Sequence, residues 1–76
     1  MIDPIEGAFD ITPDDDVDLE RQTRGIYVGT SGDLTVTTVS GTTVTFVALS
    51  AGQIHPIRVL RVFATGTDAE DIVGVY

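Results

Sequence analysis

Three aspartates at alternate positions, Asp14, Asp16 and Asp18, are the nearest thing in this chain to a metal-binding pattern. A helix–loop–helix calcium site needs Gly at its sixth loop position and a bidentate Glu at its twelfth. Counted from Asp14, those positions hold Leu19 and Gly25, so the pattern reads as a solvated acidic stretch kept extended by self-repulsion. His55 is the single histidine, and the Pro56 that follows biases its backbone towards extended conformations. Zinc takes three or four ligands, and a general base needs a nucleophile and an orienting group. With no Cys in the chain and no carboxylate nearby in sequence, His55 reads as a residue flanking a strand or an interface. Asp68, Glu70 and Asp71 supply carboxylates, but within one turn; glycoside hydrolysis needs two that face each other across a groove. Gly25, Gly29 and Gly32 punctuate turns without the βαβ unit that a dinucleotide fingerprint requires. No catalytic, metal or cofactor-binding residues are assigned, and the expectation is a protein that is not an enzyme and uses no cofactor.

The remaining chemistry is carried by arginine. Arg21, Arg24, Arg58 and Arg61 are the only basic residues. Guanidinium forks suit carboxylate pairing at interfaces, so at least one of the four is expected to meet an acid of a neighbouring subunit. The net charge is −8, and residues 1–20 contain eight acids and no base, which accounts for all of it. Residues 21–76 balance four arginines against four acids. Such a chain is a poor nucleic-acid binder, because that affinity depends on clustered positive charge. No window approaches the ~18 apolar residues that span a bilayer, and Met1-Ile2-Asp3-Pro4 lacks the features of a secretory signal. A domain of 76 residues without disulfides or a metal is expected to gain support from oligomerisation or docking.

The elements that would position these residues divide the chain into an acidic arm (1–20) and a single β domain (21–76). The arm contains Pro4, Gly7, Pro13 and isolated hydrophobes, with no sustained period. It reads as extended, with a short helical turn over 13–20 that Thr12 and Pro13 would start. Ile2, Ile5 and Phe9 are candidate anchors on a neighbour. Deleting residues 1–20 is expected to leave the body folded and weaken assembly. From Arg24 onward, runs rich in β-branched residues alternate with Gly/Ser/Asp turns. Strands are expected near 25–29, 34–37, 42–49, 57–65 and 71–76. About five strands with short turns imply an all-β, antiparallel meander forming a sandwich or a partly closed barrel. Two of these strands carry hydrophobes on both faces. Ile57, Val59 and Phe63 oppose Leu60, Val62 and Ala64, and Val47 and Leu49 oppose Phe46 and Ala48. One apolar face is all that a surface sheet needs, so the second cover is expected from another subunit or from the chain itself. Val47, Leu49, Leu60 and Val62 join Arg21, Arg24, Arg58 and Arg61 as candidate contacts to a subunit or to a larger shell.

The run Ala51-Gly52-Gln53-Ile54-His55-Pro56-Ile57-Arg58-Val59-Leu60-Arg61-Val62-Phe63-Ala64-Thr65-Gly66-Thr67-Asp68-Ala69, followed by Asp71-Ile72-Val73-Gly74-Val75-Tyr76, resembles the spike base proteins of tailed phages and gene transfer agents. Thr23–Gly29, Gly32–Val36, Gly41–Phe46 and Ile11–Asp15 are similar as well, so the resemblance covers roughly residues 11–76. The acidic 68–71 turn and Gly74 depart from the family's Thr- and Ala-rich versions. The resemblance implies a structural virion protein, a small β module on the outer capsid surface that forms the base of a spike or decorates the shell. It would be assembled in the host cytoplasm as a homo-oligomer of unspecified order. The implied partners are the major capsid protein and a spike or fibre protein, with no nucleic acid and no membrane. The alternative from another class is a small soluble β adaptor that recognises a peptide or glycan by a sheet edge.

Overall fold

A computed structural model describes residues 6–76, so the anchors expected at Ile2 and Ile5 lie outside the described residues. The described residues form seven strands: β1 (Ala8–Asp10), β2 (Gly25–Thr30), β3 (Gly32–Thr38), β4 (Thr43–Leu49), β5 (Ile54–His55), β6 (Val59–Val62) and β7 (Glu70–Val75). They build two open antiparallel sheets, β1-β7-β2-β5 and β4-β3-β6, which face each other as a sandwich. The all-β antiparallel reading holds. The two extra strands are short: β5 has two residues, and β1 lies within the acidic segment. Of the paired strands only β3 and β4 are neighbours in sequence, so most ladders join distant segments rather than following a meander.

Alternation builds the core. Ile26 and Val28 of β2 and Leu34 and Val36 of β3 are fully buried, joined by Ile11, Val59, Val62, Ala69 and Ile72. The opposite face of β3 carries Thr35 and Thr37, whose hydroxyls hydrogen-bond those of Thr45 and Thr43 across the ladder at 2.9 and 3.1 Å. The outer face of this sheet is therefore a threonine ladder, a polar finish for a solvent-facing sheet.

Two irregularities absorb the apparent excess of apolar surface. In β6, Val62 pairs with Val36, Arg61 with Thr37 and Val59 with Thr38, which leaves Leu60 as the extra residue of a bulge. A bulge shifts side-chain parity. Val59 and Val62, three residues apart, thus both enter the core, whereas strict alternation sends them to opposite faces. In β4 the register jumps between Leu34–Phe46 and Gly32–Leu49, setting Val47 and Ala48 against Asp33 alone. Ala48 takes a positive φ of 55°, and its N–H donates to Asp33 Oδ1 at 3.0 Å. Leu49, instead of Ala48, then joins Val44 and Phe46 against the core.

Close approach fixes where the two sheets meet. A Cβ on Gly32 would lie 2.6 Å from the Ala69 nitrogen, and the Asp33 carbonyl accepts from the N–H groups of Asp68 and Ala69 at 2.8 and 3.2 Å. Only glycine allows the backbones to come so near.

Residues 6–20 lace one sheet to the other. The Tyr76 carbonyl accepts from Glu6 and Gly7, and Tyr76 N–H donates back to Gly7. β1 pairs with β7, and Ile11 N–H donates to Ile72 before the Ile11 side chain enters the core. The chain then crosses to the other sheet, where Asp14 and Leu19 donate to the Val62 and Leu60 carbonyls at 2.9 and 2.7 Å along the outer edge of β6. No helical turn forms over 13–20. Asp14 Oδ1 instead accepts from Asp16 N–H at 2.8 Å, a side-chain turn of the kind that competes with helix.

Candidate interaction surfaces

The acidic segment is held down by its own carboxylates. Asp15 sits beside the connection after β6, where its two oxygens accept from the Thr65 N–H at 2.9 Å and the Thr65 hydroxyl at 2.7 Å. These two bonds lower its pKa below the ordinary carboxylate value; the Ala64 backbone and the Arg61 charge add to the effect, and partial desolvation opposes it. Arg61 donates through Nε to Asp18 at 2.8 Å and through a terminal nitrogen to the Asp15 carbonyl at 3.1 Å. The Leu60 bulge is what turns Arg61 towards this segment.

The other arginines divide by environment. Arg21 stacks its guanidinium 3.6 Å from the centre of the Tyr76 ring, which meets Phe9 on a tilted contact at 6.0 Å. Phe9 is half-buried and packs against the core. Arg24 is half-buried, and its N–H donates to the Val75 carbonyl. Arg58 is exposed, and its guanidinium has no partner among the described residues. Of the apolar candidates, Val62 lies in the chain's own core, Leu60 is half-buried, and Leu49 packs partly against the core. Val47 stands out at 74% exposure, with Val17 at 61%. Val17, Val39 and Ile54 are exposed hydrophobes that were not among the candidates; the only signal for Val17 was a lone apolar residue in a polar stretch.

The residues whose types could do chemistry are dispersed. His55 Nε2 hydrogen-bonds the Ser50 carbonyl at 3.0 Å, closing the turn before β5. Asp14 caps Asp16, and Asp18 faces Arg61. Asp68, Glu70 and Asp71 are exposed around the start of β7. Among the described residues no three His, Asp or Glu side chains come together as metal ligands. A shallow groove of about 410 Å³ runs along the acidic segment, lined by Phe9, Ile11, Val17 and Leu19 together with Asp10, Asp14, Asp18 and Glu20.

No family model and no curated protein matches the chain. Among solved structures, a chain in the capsid of a native GTA (gene transfer agent) particle, computed with C5 symmetry, is 42% identical, covering 96% of this chain and 84% of its own, with a TM-score of 0.86. The similarity therefore extends over both sheets and most of the segment that laces them.

Proposed function

The chain belongs to a family of gene transfer agent capsid proteins, and on that premise we propose that it is a structural subunit seated on the outer surface of a phage-like shell, as the base of a spike or as a decoration protein. The single observation that carries this reading is the 42% identity over nearly the whole chain to a chain of a GTA capsid. The physical chemistry supports it. Small sandwiches without disulfides gain stability from neighbours. Repeated copies on a shell turn modest contacts into firm attachment through effective concentration. The partners in this reading are further copies of the chain, the major capsid protein and a spike or fibre protein, and the protein has no reaction of its own.

The test is binding of the purified chain to phage-like particles that lack it. Cosedimentation, and symmetric extra density outside the shell in a cryo-EM reconstruction, is the expected result. Failure to cosediment, or density lining the shell interior, would overturn the reading.

A further inference from the structure

We infer that the open edge of β4 is where a second copy of this chain adds a strand, continuing the β4-β3-β6 sheet across a subunit boundary. The inference rests on the capsid-subunit reading and names one of its contacts.

The sandwich has four sheet edges, and three are unsuited to pairing. The β6 edge already receives Asp14 and Leu19 N–H groups from the acidic segment. β1 and β5 are three and two residues long. β4 has seven residues, borders only β3, and contains neither a charge nor a proline. Proteins ordinarily protect such an edge with charges, prolines or very short strands. Here the only irregularity is the bulge at Val47–Ala48, which ends the regular edge and leaves Thr43 to Val47 presentable.

The register shows which groups are on offer. Thr38 N–H donates to Thr42 across the hairpin. In an antiparallel pair hydrogen-bonded and non-hydrogen-bonded positions alternate, so Val44 and Phe46 exchange bonds with Val36 and Leu34. The amides and carbonyls of Thr43 and Thr45 therefore point away from the sheet. Beside them Val47 is 74% exposed. An added strand would satisfy the former and cover the latter.

Charge says why the added strand comes from a second copy. Each copy carries −8, contributed by residues 1–20, whereas residues 34–57 carry no formal charge. Residues 14–19 of the acidic segment run along β6, at the far side of the same sheet, and Ala8–Asp10 pair with β7 in the other sheet. A strand docked on β4 would lie four strand spacings, about 19 Å, from residues 14–19. That exceeds the screening length of about 8 Å at physiological salt. The neutral edge is thus an approach along which copies meet without setting acid against acid.

The test uses the full chain over a concentration series, with native mass spectrometry and light scattering. Thr45→Pro removes an outward N–H that β3 does not use, a substitution edge strands accept. Val47→Lys and Thr43→Lys place charge on the edge at exposed positions. Thr45→Val removes the hydroxyl but keeps the N–H. Wild type and T45V should associate, whereas T45P, V47K and T43K should associate roughly tenfold or more weakly with unchanged circular dichroism. Association of every variant like wild type, or a wild type that stays monomeric throughout, would overturn the inference. Cosedimentation of the wild type with particles reports separately on the capsid reading, which would survive either of those outcomes.

Discussion

Thr23 is the fully buried polar side chain of the described residues, and its replacement by valine gives a sharp test of how the two sheets are joined. Its hydroxyl donates to the Ile57 carbonyl at 2.9 Å and accepts from the Val59 N–H at 3.1 Å. It thus serves both backbone groups where the β3–β6 ladder ends. Its methyl packs beside Gly74. Thr23→Val keeps the shape and strands an N–H in the core together with a partly buried carbonyl. An unsatisfied buried group costs about 1–3 kcal/mol, so the pair should cost about 2–4 kcal/mol. In a domain of this size each kcal/mol lowers Tm by roughly 4–8 °C, which gives a fall of about 10–30 °C. Thr23→Ser keeps both bonds and loses one methyl, at a cost of about 1 kcal/mol. The assay is thermal and urea unfolding of the two variants beside wild type. A T23V protein as stable as T23S, or more stable, would refute the bridging role of the hydroxyl.

Two further outcomes follow from the acidic segment. Ile11→Ala should cost about 2–4 kcal/mol in urea unfolding, because Ile11 is a core residue, while Val17→Ala should change stability by less than about 0.5 kcal/mol; equal shifts would show that the segment does not pack as described. Asp15 has a folded-state pKa below its ordinary value, so on acidification the unfolded chain takes up the proton first. Its contribution is therefore present above the ordinary carboxylate range and lost as pH falls through the lowered value. Melts of wild type should fall more steeply than those of Asp15→Asn between about pH 5 and pH 2, and parallel curves would remove Asp15 from the latch.

Much of the fold was legible because it depends on local alternation. Leu34-Thr35-Val36-Thr37 announced both faces of β3, and the turn at Ser40-Gly41 announced the β3–β4 hairpin. What alternation could not show were its own interruptions. The bulge at Leu60 arises from pairing with β3, more than twenty residues away in sequence, and it reverses the expected direction of every side chain beyond it. The surplus hydrophobes that suggested a second cover were largely absorbed in this way. Arg61 illustrates the same limit for the interaction residues. The sequence makes it a candidate contact to a neighbour, and within the chain it also pairs with Asp18, 43 residues earlier. The expectation for removing residues 1–20 changes accordingly, since that deletion would take β1 and the core residue Ile11 with it. Val47 follows the inward-facing Phe46, so alternation alone turns it outward; what the sequence does not announce is the bulge that brings Leu49 to the core.

The order of the strands has a kinetic consequence. With one local hairpin, β3–β4, and every other ladder joining segments far apart in the chain, folding must close long loops before it gains their contacts. Such topologies fold in about milliseconds to seconds, far more slowly than helical domains of equal length. The hairpin is the one piece that can form early at low entropic cost. The pairing of β1 with β7 and of Gly7 with Tyr76 spans nearly the whole described chain. A subunit of this design therefore completes its outline only when its last strand is in place, which sets a waiting time between synthesis and readiness to join a shell.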